Sequence, residues 1–403
     1  MKKFKRIFAL FFYVLITAGV LSGCGKAVPS SEAGTSTTET EKPLKVVTTI
    51  FPEYDWVRQI LGERAGNAEL TMLLDNGVDL HSYQPTADDI IKISDCDLFV
   101  YVGGESDGWV EDALKEATNK NMKVINLLDV LKDTVKTEEA VPGMQAEEGH
   151  NHGVADFADS DVKDRNLSDW NGEWQSAYPY ILDGTLDPVM EKKAESGTKT
   201  AEEYKDSSAM TGAEIADEML EHEEKEYDEH VWLSAKNAGT LCNAIAAALE
   251  EIDPANKEIY AANAKSYQEK LSALDAEYQS AVDNAARKTV LFGDRFPFRY
   301  LVDDYGLSYY AAFAGCSAES EASFETISFL AHKVDELNLP CVLTIDGAKH
   351  KIAETIVQNT VEKNQKILTL DSMQSTTTTD VENGTTYLSV MEDNLDILKQ
   401  ALN

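Results

Sequence analysis

Histidine is scarce in this chain, with seven residues in 403, so the placement of each one carries information. Cysteine is scarcer still, at five, and no two stand in CxxC spacing, which argues against a zinc-thiolate cluster. Basic residues are few: 36 Lys and Arg face 71 Asp and Glu, for a net charge of −35. Such a surface repels phosphate backbones and argues against a nucleic-acid partner; it suits a protein that gathers cations or simply stays soluble. The sequence contains no HExxH, so the common metallopeptidase signature is absent. The apolar run from Ile7 to Leu21 is too short to span a bilayer comfortably.

That run follows Lys2, Lys3, Lys5 and Arg6 and ends at Leu21-Ser22-Gly23-Cys24. The order resembles the lipobox of bacterial lipoprotein signals and implies cleavage before Cys24 and acylation there, giving residues 1–23 as signal peptide. Loss of the signal would take the charge from −35 to −39. Residues 24–43 include a Ser/Thr/Glu-rich stretch, expected to form a flexible tether. Cys96, Cys242, Cys316 and Cys341 sit among apolar or small residues and read as buried side chains, with a disulfide left open in an exported chain.

Beyond the tether, the fold class expected is α/β, built as two lobes with parallel sheets. Strands are expected at 45–50, 69–73, 97–102 and 122–126, alternating with helices at 54–61, 87–94 and 109–116. They make an N-terminal lobe over 44–137. A second set, with strands at 288–292, 308–313, 341–345 and 367–370 and helices at 324–337, 352–359 and 388–402, makes a C-terminal lobe over 288–403. Linking helices fill 230–287. Tyr260, Tyr267, Leu271, Leu274, Tyr278 and Val282 fall on one stripe, so residues 255–287 read as a single spine helix whose tyrosines are core. A single spine implies a cleft between lobes whose walls move little. Residues 138–229 are acidic and poor in aliphatics, an exposed insertion.

Two histidines stand beside structured segments: His81 within Gly77-Val78-Asp79-Leu80-His81-Ser82-Tyr83-Gln84-Pro85-Thr86, and His230 within Asp228-Glu229-His230-Val231-Trp232-Leu233. His81 follows an expected strand, where open α/β sheets bind ligands, and Thr86 is placed to cap the next helix. Neutral imidazole is a preferred ligand of zinc and its neighbours, so the two read as halves of one metal site. Each alone could equally be a hydrogen-bonded turn residue.

Together the two motifs resemble the metal-binding lipoproteins of ABC importers, the ZnuA-like solute-binding family for zinc and manganese. Its G-x-D-P-H-x-Y-E-P-T motif is matched by Gly77 to Thr86, with Leu80 and Gln84 replacing Pro and Glu. Its D-P-H-x-W-L-D-P motif is matched from Asp228 to Ser234, with Glu229 and Ser234 replacing Pro and Asp. His81 and His230 carry over as ligands. Phe298-Arg299-Tyr300 and Tyr305-Gly306-Leu307 match F-x-Y and Y-G-L, which puts the family's third ligand at Arg295. Arginine cannot bind a cation. Asp294 is the nearest replacement, with Glu319, Glu321 and His350 as further candidates. The family's fourth ligand, an aspartate after a strand, corresponds to Asp371, whose other reading is a turn cap.

His150 and His152, with His222 among glutamates, resemble the acidic metal-gathering loop of zinc-binding members, or are a merely solvated charge run. Residues 166–206 resemble the opening segment of the ZinT-type zinc-binding fold, without that family's ligands. The resemblance implies capture of Zn²⁺, with Mn²⁺ as the alternative, and delivery to an ABC permease and its ATPase by a lipid-anchored extracytoplasmic protein that is not an enzyme. Affinity should fall in acid as the imidazoles protonate. The alternatives are a surface zinc hydrolase and a cell-surface adhesin.

Overall fold

Short runs rich in β-branched and aromatic residues set two sheets. The computed structural model describes residues 42–145, 192, 227–317, 321–347 and 350–403; Cys24, His150, His152, His222, Glu319 and all but one residue of the ZinT-like stretch lie outside them. In the first half the elements are β1 (Lys45–Thr48), α1 (Phe51–Leu61), β2 (Glu69–Met72), α2 (Ala87–Asp95), β3 (Leu98–Tyr101), α3 (Val110–Lys115), β4 (Lys123–Asn126) and α4 (Leu127–Leu131). The strands form one parallel sheet in the order β2-β1-β3-β4. Pairing of β1 with both β2 and β3 places a topological switch point at the carboxyl ends of these strands, where open α/β sheets hold ligands.

Two helices link the halves: α5 (Ala235–Ile252) and α6 (Lys257–Asp283). Ser234 caps α5 by accepting the amide of Asn237. Pro254 begins a 3₁₀ turn over Pro254–Asn256, so α6 is shorter than the 255–287 expected. Its 27 residues still give about 40 Å of rise. All six residues of the tyrosine stripe are buried, as core packing requires.

The second half comprises β5 (Thr289–Phe296), α7 (Arg299–Tyr305), β6 (Ser308–Ala314), α8 (Phe324–Glu336), β7 (Cys341–Ile345), α9 (Lys351–Asn359), β8 (Lys366–Leu370), α10 (Thr378–Glu382) and α11 (Tyr387–Leu402). Its parallel sheet runs β6-β5-β7-β8, again with a switch point, here at β5 and β7. β5 extends four residues past the expected Phe292. Gly293 makes room for the extension: a Cβ there would stand 2.7 Å from the Ala353 Cα of α9. The register against β6 shifts between Phe292 and Arg295, which re-aims the strand end.

The spine α6 packs against α5, α1 and α11. One continuous apolar core, from Val46 of β1 to Leu402 of α11, spans both sheets, and a smaller cluster lies under α8 and α9. Polar bonds reinforce it. Tyr387 donates its amide to Asp55 Oδ2 at 2.9 Å and its hydroxyl to the Trp232 carbonyl at 2.7 Å, and Trp232 Nε1 donates to the Ser372 carbonyl at 2.9 Å. Lobes joined through a shared core and buried bonds have little freedom to hinge. Among the described residues, no helix is long and apolar enough to cross a membrane.

Candidate metal centre

The His81 loop is held by its own short-range chemistry. Asp79 Oδ1 accepts the His81 amide at 3.0 Å, forming the 3₁₀ turn Leu80–Ser82, and Leu80 is buried beneath it. Tyr83 donates its hydroxyl to Asp89 Oδ2 at 3.0 Å, and Thr86 and Asp89 form the capping box of α2. The imidazole is thereby presented at the carboxyl end of β2. Its Nδ1 lies 2.7 Å from Ser106 Oγ and 3.5 Å from Glu229 Oε2.

His230 is fully buried. Asp228 Oδ1 accepts both its amide and its Nδ1–H, each at 2.9 Å, which fixes the tautomer and leaves the Nε2 lone pair free. Val231 and Trp232 anchor the following turn in the core. The Asp228 carbonyl accepts the Tyr300 hydroxyl at 2.8 Å, and Thr137 pairs with Tyr227 as an antiparallel bridge. That bridge closes the base of the insertion three residues before His230.

From positions 149 residues apart, the two Nε2 atoms come within 3.3 Å of each other. Two nitrogens bound at about 2.0–2.1 Å to a tetrahedral zinc ion stand about 3.3 Å apart, so the separation is that of two ligands sharing one ion. Cys316 joins them: its Sγ and the two imidazoles offer ligand atoms all within 4.8 Å of one another. Asp294 and Asp371 lie outside this group. Asp294 accepts the Arg295 amide at 2.9 Å and faces the Ile345 amide at 3.4 Å, tying its carboxylate to the switch point. Asp371 Oδ1 accepts the Met373 amide at 2.7 Å, the turn-cap role. Its carboxyl is pushed up to about 6 by burial and by neighbouring Asp346. Neither exposed Glu321 nor His350 enters the group.

Arg295 Nη2 donates to Asp79 Oδ2 at 2.6 Å, an ion pair that bridges the lobes. The position where the family resemblance puts a ligand thus carries a cation held by a carboxylate. The electrostatics around the imidazoles are asymmetric. Burial, with the charges of His230 and Arg295 outweighing Asp79, pushes His81 down to about 3. Burial is the strongest influence on His230 and opposes its charge, but the hydrogen bond and charge of Asp228, with the charges of Glu229 and Glu138, together outweigh it and hold His230 above the usual histidine value. Burial, then Glu138, Asp228 and Glu229, push the Cys316 thiol well above the usual thiol range.

The expectation that Cys316 is one more buried cysteine is corrected by the structure. Cys96, Cys242 and Cys341 are buried; Cys316 is half-buried and faces the imidazoles. The available signal was position. Gly315-Cys316 immediately follows β6, at the carboxyl edge of a parallel sheet. A Cβ at Gly315 would stand 2.9 Å from the Phe296 carbonyl and 3.1 Å from the His230 ring, so glycine lets the backbone run against the imidazole.

Two parallel-sheet lobes on a common spine, with strand-end loops of both facing one pair of imidazoles, define a two-lobed solute-binding fold with a candidate cation site. The chain belongs to the ZnuA family, "Zinc-uptake complex component A periplasmic", whose profile matches residues 46–401. This family of metal-binding solute-binding proteins is not an enzyme class. Its sequence is 28% identical over 359 residues to the zinc-binding lipoprotein AdcA of Streptococcus pneumoniae, covering 89% of this chain. The chain spans only 55% of that relative's length. It is 26% identical over 401 residues to the high-affinity zinc uptake system protein ZnuA of Bacillus subtilis, covering 100% of this chain and 98% of that protein. Among solved structures, the Zn(II)-bound ZnuA-like domain of Streptococcus pneumoniae AdcA superposes with a TM-score of 0.56 at 25% identity. The match covers 89% of this chain and 99% of that one.

Proposed function

We propose that this protein captures Zn²⁺ outside the cytoplasm and delivers it to an ABC permease and its ATPase. The observation that carries the reading is the 3.3 Å approach of the His81 and His230 Nε2 atoms, each with its other ring nitrogen engaged. Family membership and the zinc-binding names of its relatives support the same ion. Relatives named as lipoproteins, together with the Leu21-Ser22-Gly23-Cys24 signal, support a lipid-anchored protein on the outer face of the membrane.

The chain's own residues account for capture. Its acidic surface raises the local concentration of cations. Asp228 holds the His230 ring so that it need not reorient when the ion arrives, Ser106 holds the His81 ring less firmly, and Glu229 and Asp228 supply negative charge behind them. The shared core keeps the ligand-bearing loops in place before binding, so small ligand movements complete the site. Docking on the permease would then present the loaded cleft for release. The zinc is cargo, and the protein acts as a carrier.

Calorimetry on chelator-stripped full-length protein tests this. Wild type should bind one zinc tightly, and His81→Ala and His230→Ala should each lose most of that affinity with circular dichroism unchanged. Equal zinc binding by all three proteins refutes the site.

A further inference from the structure

We infer that Cys316 is the third protein ligand of this centre, completing an N₂S set with His81 and His230. The assignment rests on the zinc-capture reading and deepens it. The end of β5 in the C-terminal lobe offers this group no ligand. At the end of β5, the side chain of Arg295 is a cation, and Asp79 holds it at 2.6 Å. β6 lies beside β5 with Phe313 in register with Arg295, so Cys316, three residues further on, emerges at the same edge of the same sheet. The neighbouring strand end supplies a ligand atom where the end of β5 supplies none.

The geometry suits the role. In a tetrahedral zinc site with Zn–S of about 2.3 Å and Zn–N of about 2.0–2.1 Å, sulfur and nitrogen stand about 3.6 Å apart. The Cys316 thiol and both imidazoles already lie within 4.8 Å of one another. The loop is pinned at this place: Glu138 Oε1 accepts the Cys316 amide at 2.8 Å, and Gly315 runs against the His230 ring. Asp294 and Asp371 lie outside this group, Asp294 accepting the Arg295 amide and Asp371 the Met373 amide.

A thiolate in the set changes which ion the site prefers. Sulfur is a soft ligand that suits zinc, while manganese favours carboxylate, carbonyl and water. The centre therefore discriminates against Mn²⁺ more strongly than an all-nitrogen-and-oxygen set does.

The test is X-ray absorption at the zinc edge on full-length protein loaded with one equivalent of Zn²⁺, with Cys316→Ser alongside. Wild type should show a sulfur shell near the Zn–S distance of about 2.3 Å, and Cys316→Ser should lose it. Zinc affinity should fall in that variant by more than the roughly ten- to hundredfold typical of losing a residue that only orients a ligand. Replacing zinc with Co²⁺ should give a thiolate-to-metal charge-transfer absorption in wild type alone. Circular dichroism on Cys316→Ser checks the fold, and the wild-type absorption result stands even if the variant misfolds. Tight zinc binding by wild type without a sulfur shell overturns the Cys316 assignment and leaves zinc capture standing. No tight zinc binding by wild type overturns both.

Discussion

His81 and His230 meet at one point but are held there in different ways. His81 rides on a surface loop, its side chain 13% exposed, with Ser106 the nearest partner of its second nitrogen and Asp79 bonding only its backbone. His230 is wholly buried, clamped twice by Asp228 and flanked by Val231 and Trp232 in the core. A buried, carboxylate-oriented imidazole is a fixed post. A partly exposed imidazole on a loop is a movable one. On the proposed zinc site, the difference divides the labour: His230 would fix where the ion sits, and His81 would close on it from the side that faces solvent.

Removing the post should therefore hurt most. His230→Ala should weaken zinc binding by roughly a thousandfold, beyond the ten- to hundredfold scale of orienting residues, and His81→Ala by less. Calorimetry on the two variants ranks them, and a larger loss at His81 would reverse the assignment of roles. One step smaller is the clamp. Asp228→Asn keeps a hydrogen-bond acceptor but removes the charge, and should cost about ten- to hundredfold in zinc affinity. Ser106→Ala should cost less, because a hydroxyl polarises the ring less than a carboxylate does. Equal losses in the two variants would erase the distinction between them.

The same comparison shows what the sequence could reveal. Both histidines were legible because each sits in a run of several specific residues, and the flanking strands were legible as short apolar stretches buried on both faces. The tyrosine stripe marked α6 for the same reason, its period matching a helix face. Three features were hidden. The second half of β5, Gly293-Asp294-Arg295-Phe296, reads as a turn, and only pairing with β6 makes it strand. The 3₁₀ turn before α6 hides in a segment that local propensity alone would make helical. Cys316 has no partner cysteine or histidine nearby in sequence, so spacing rules cannot find it. Its role depends on contacts with residues 86 and 235 positions away, which only the fold brings together.

Behind the imidazoles lies a second contrast, in buried carboxylates. Asp107 is buried, donates nothing, and accepts the Gly103 amide at 2.9 Å. Burial comes first and the neighbouring Glu229 later among the causes that push it up to about 7. Glu53 is raised as well, by burial and by Asp107. An unfolded aspartate has a value of about 3.9, so between about pH 4 and 7 the folded state binds more protons than the unfolded one. Stability contributed by Asp107 is therefore present below about pH 4 and is lost as pH rises towards 7, with a slope of up to about 1.4 kcal/mol per pH unit. Urea unfolding of chelator-stripped protein at pH 5 to 8 measures it. Asp107→Asn keeps the acceptor and should flatten the slope; an unchanged slope would assign the effect to other raised carboxyls, Glu53 and Asp371 among them.

The smallest expected effect tests the other side of the cleft. Arg295 presents positive charge near the proposed cation site, paired with Asp79, whose opposite charge acts on His81 more strongly. Arg295→Ala removes that positive charge and frees the Asp79 carboxylate, whose amide bond to His81 remains. Because the guanidinium is partly exposed, solvent screens the interaction, and the gain in zinc affinity should be roughly a few-fold, shrinking further in high salt. Against this stands the ion pair as a tie between lobes. If it positions the His81 loop, Arg295→Ala should weaken zinc binding instead. The sign of the change measured by calorimetry at two salt concentrations therefore decides whether Arg295 acts on the ion by charge or on His81 by geometry.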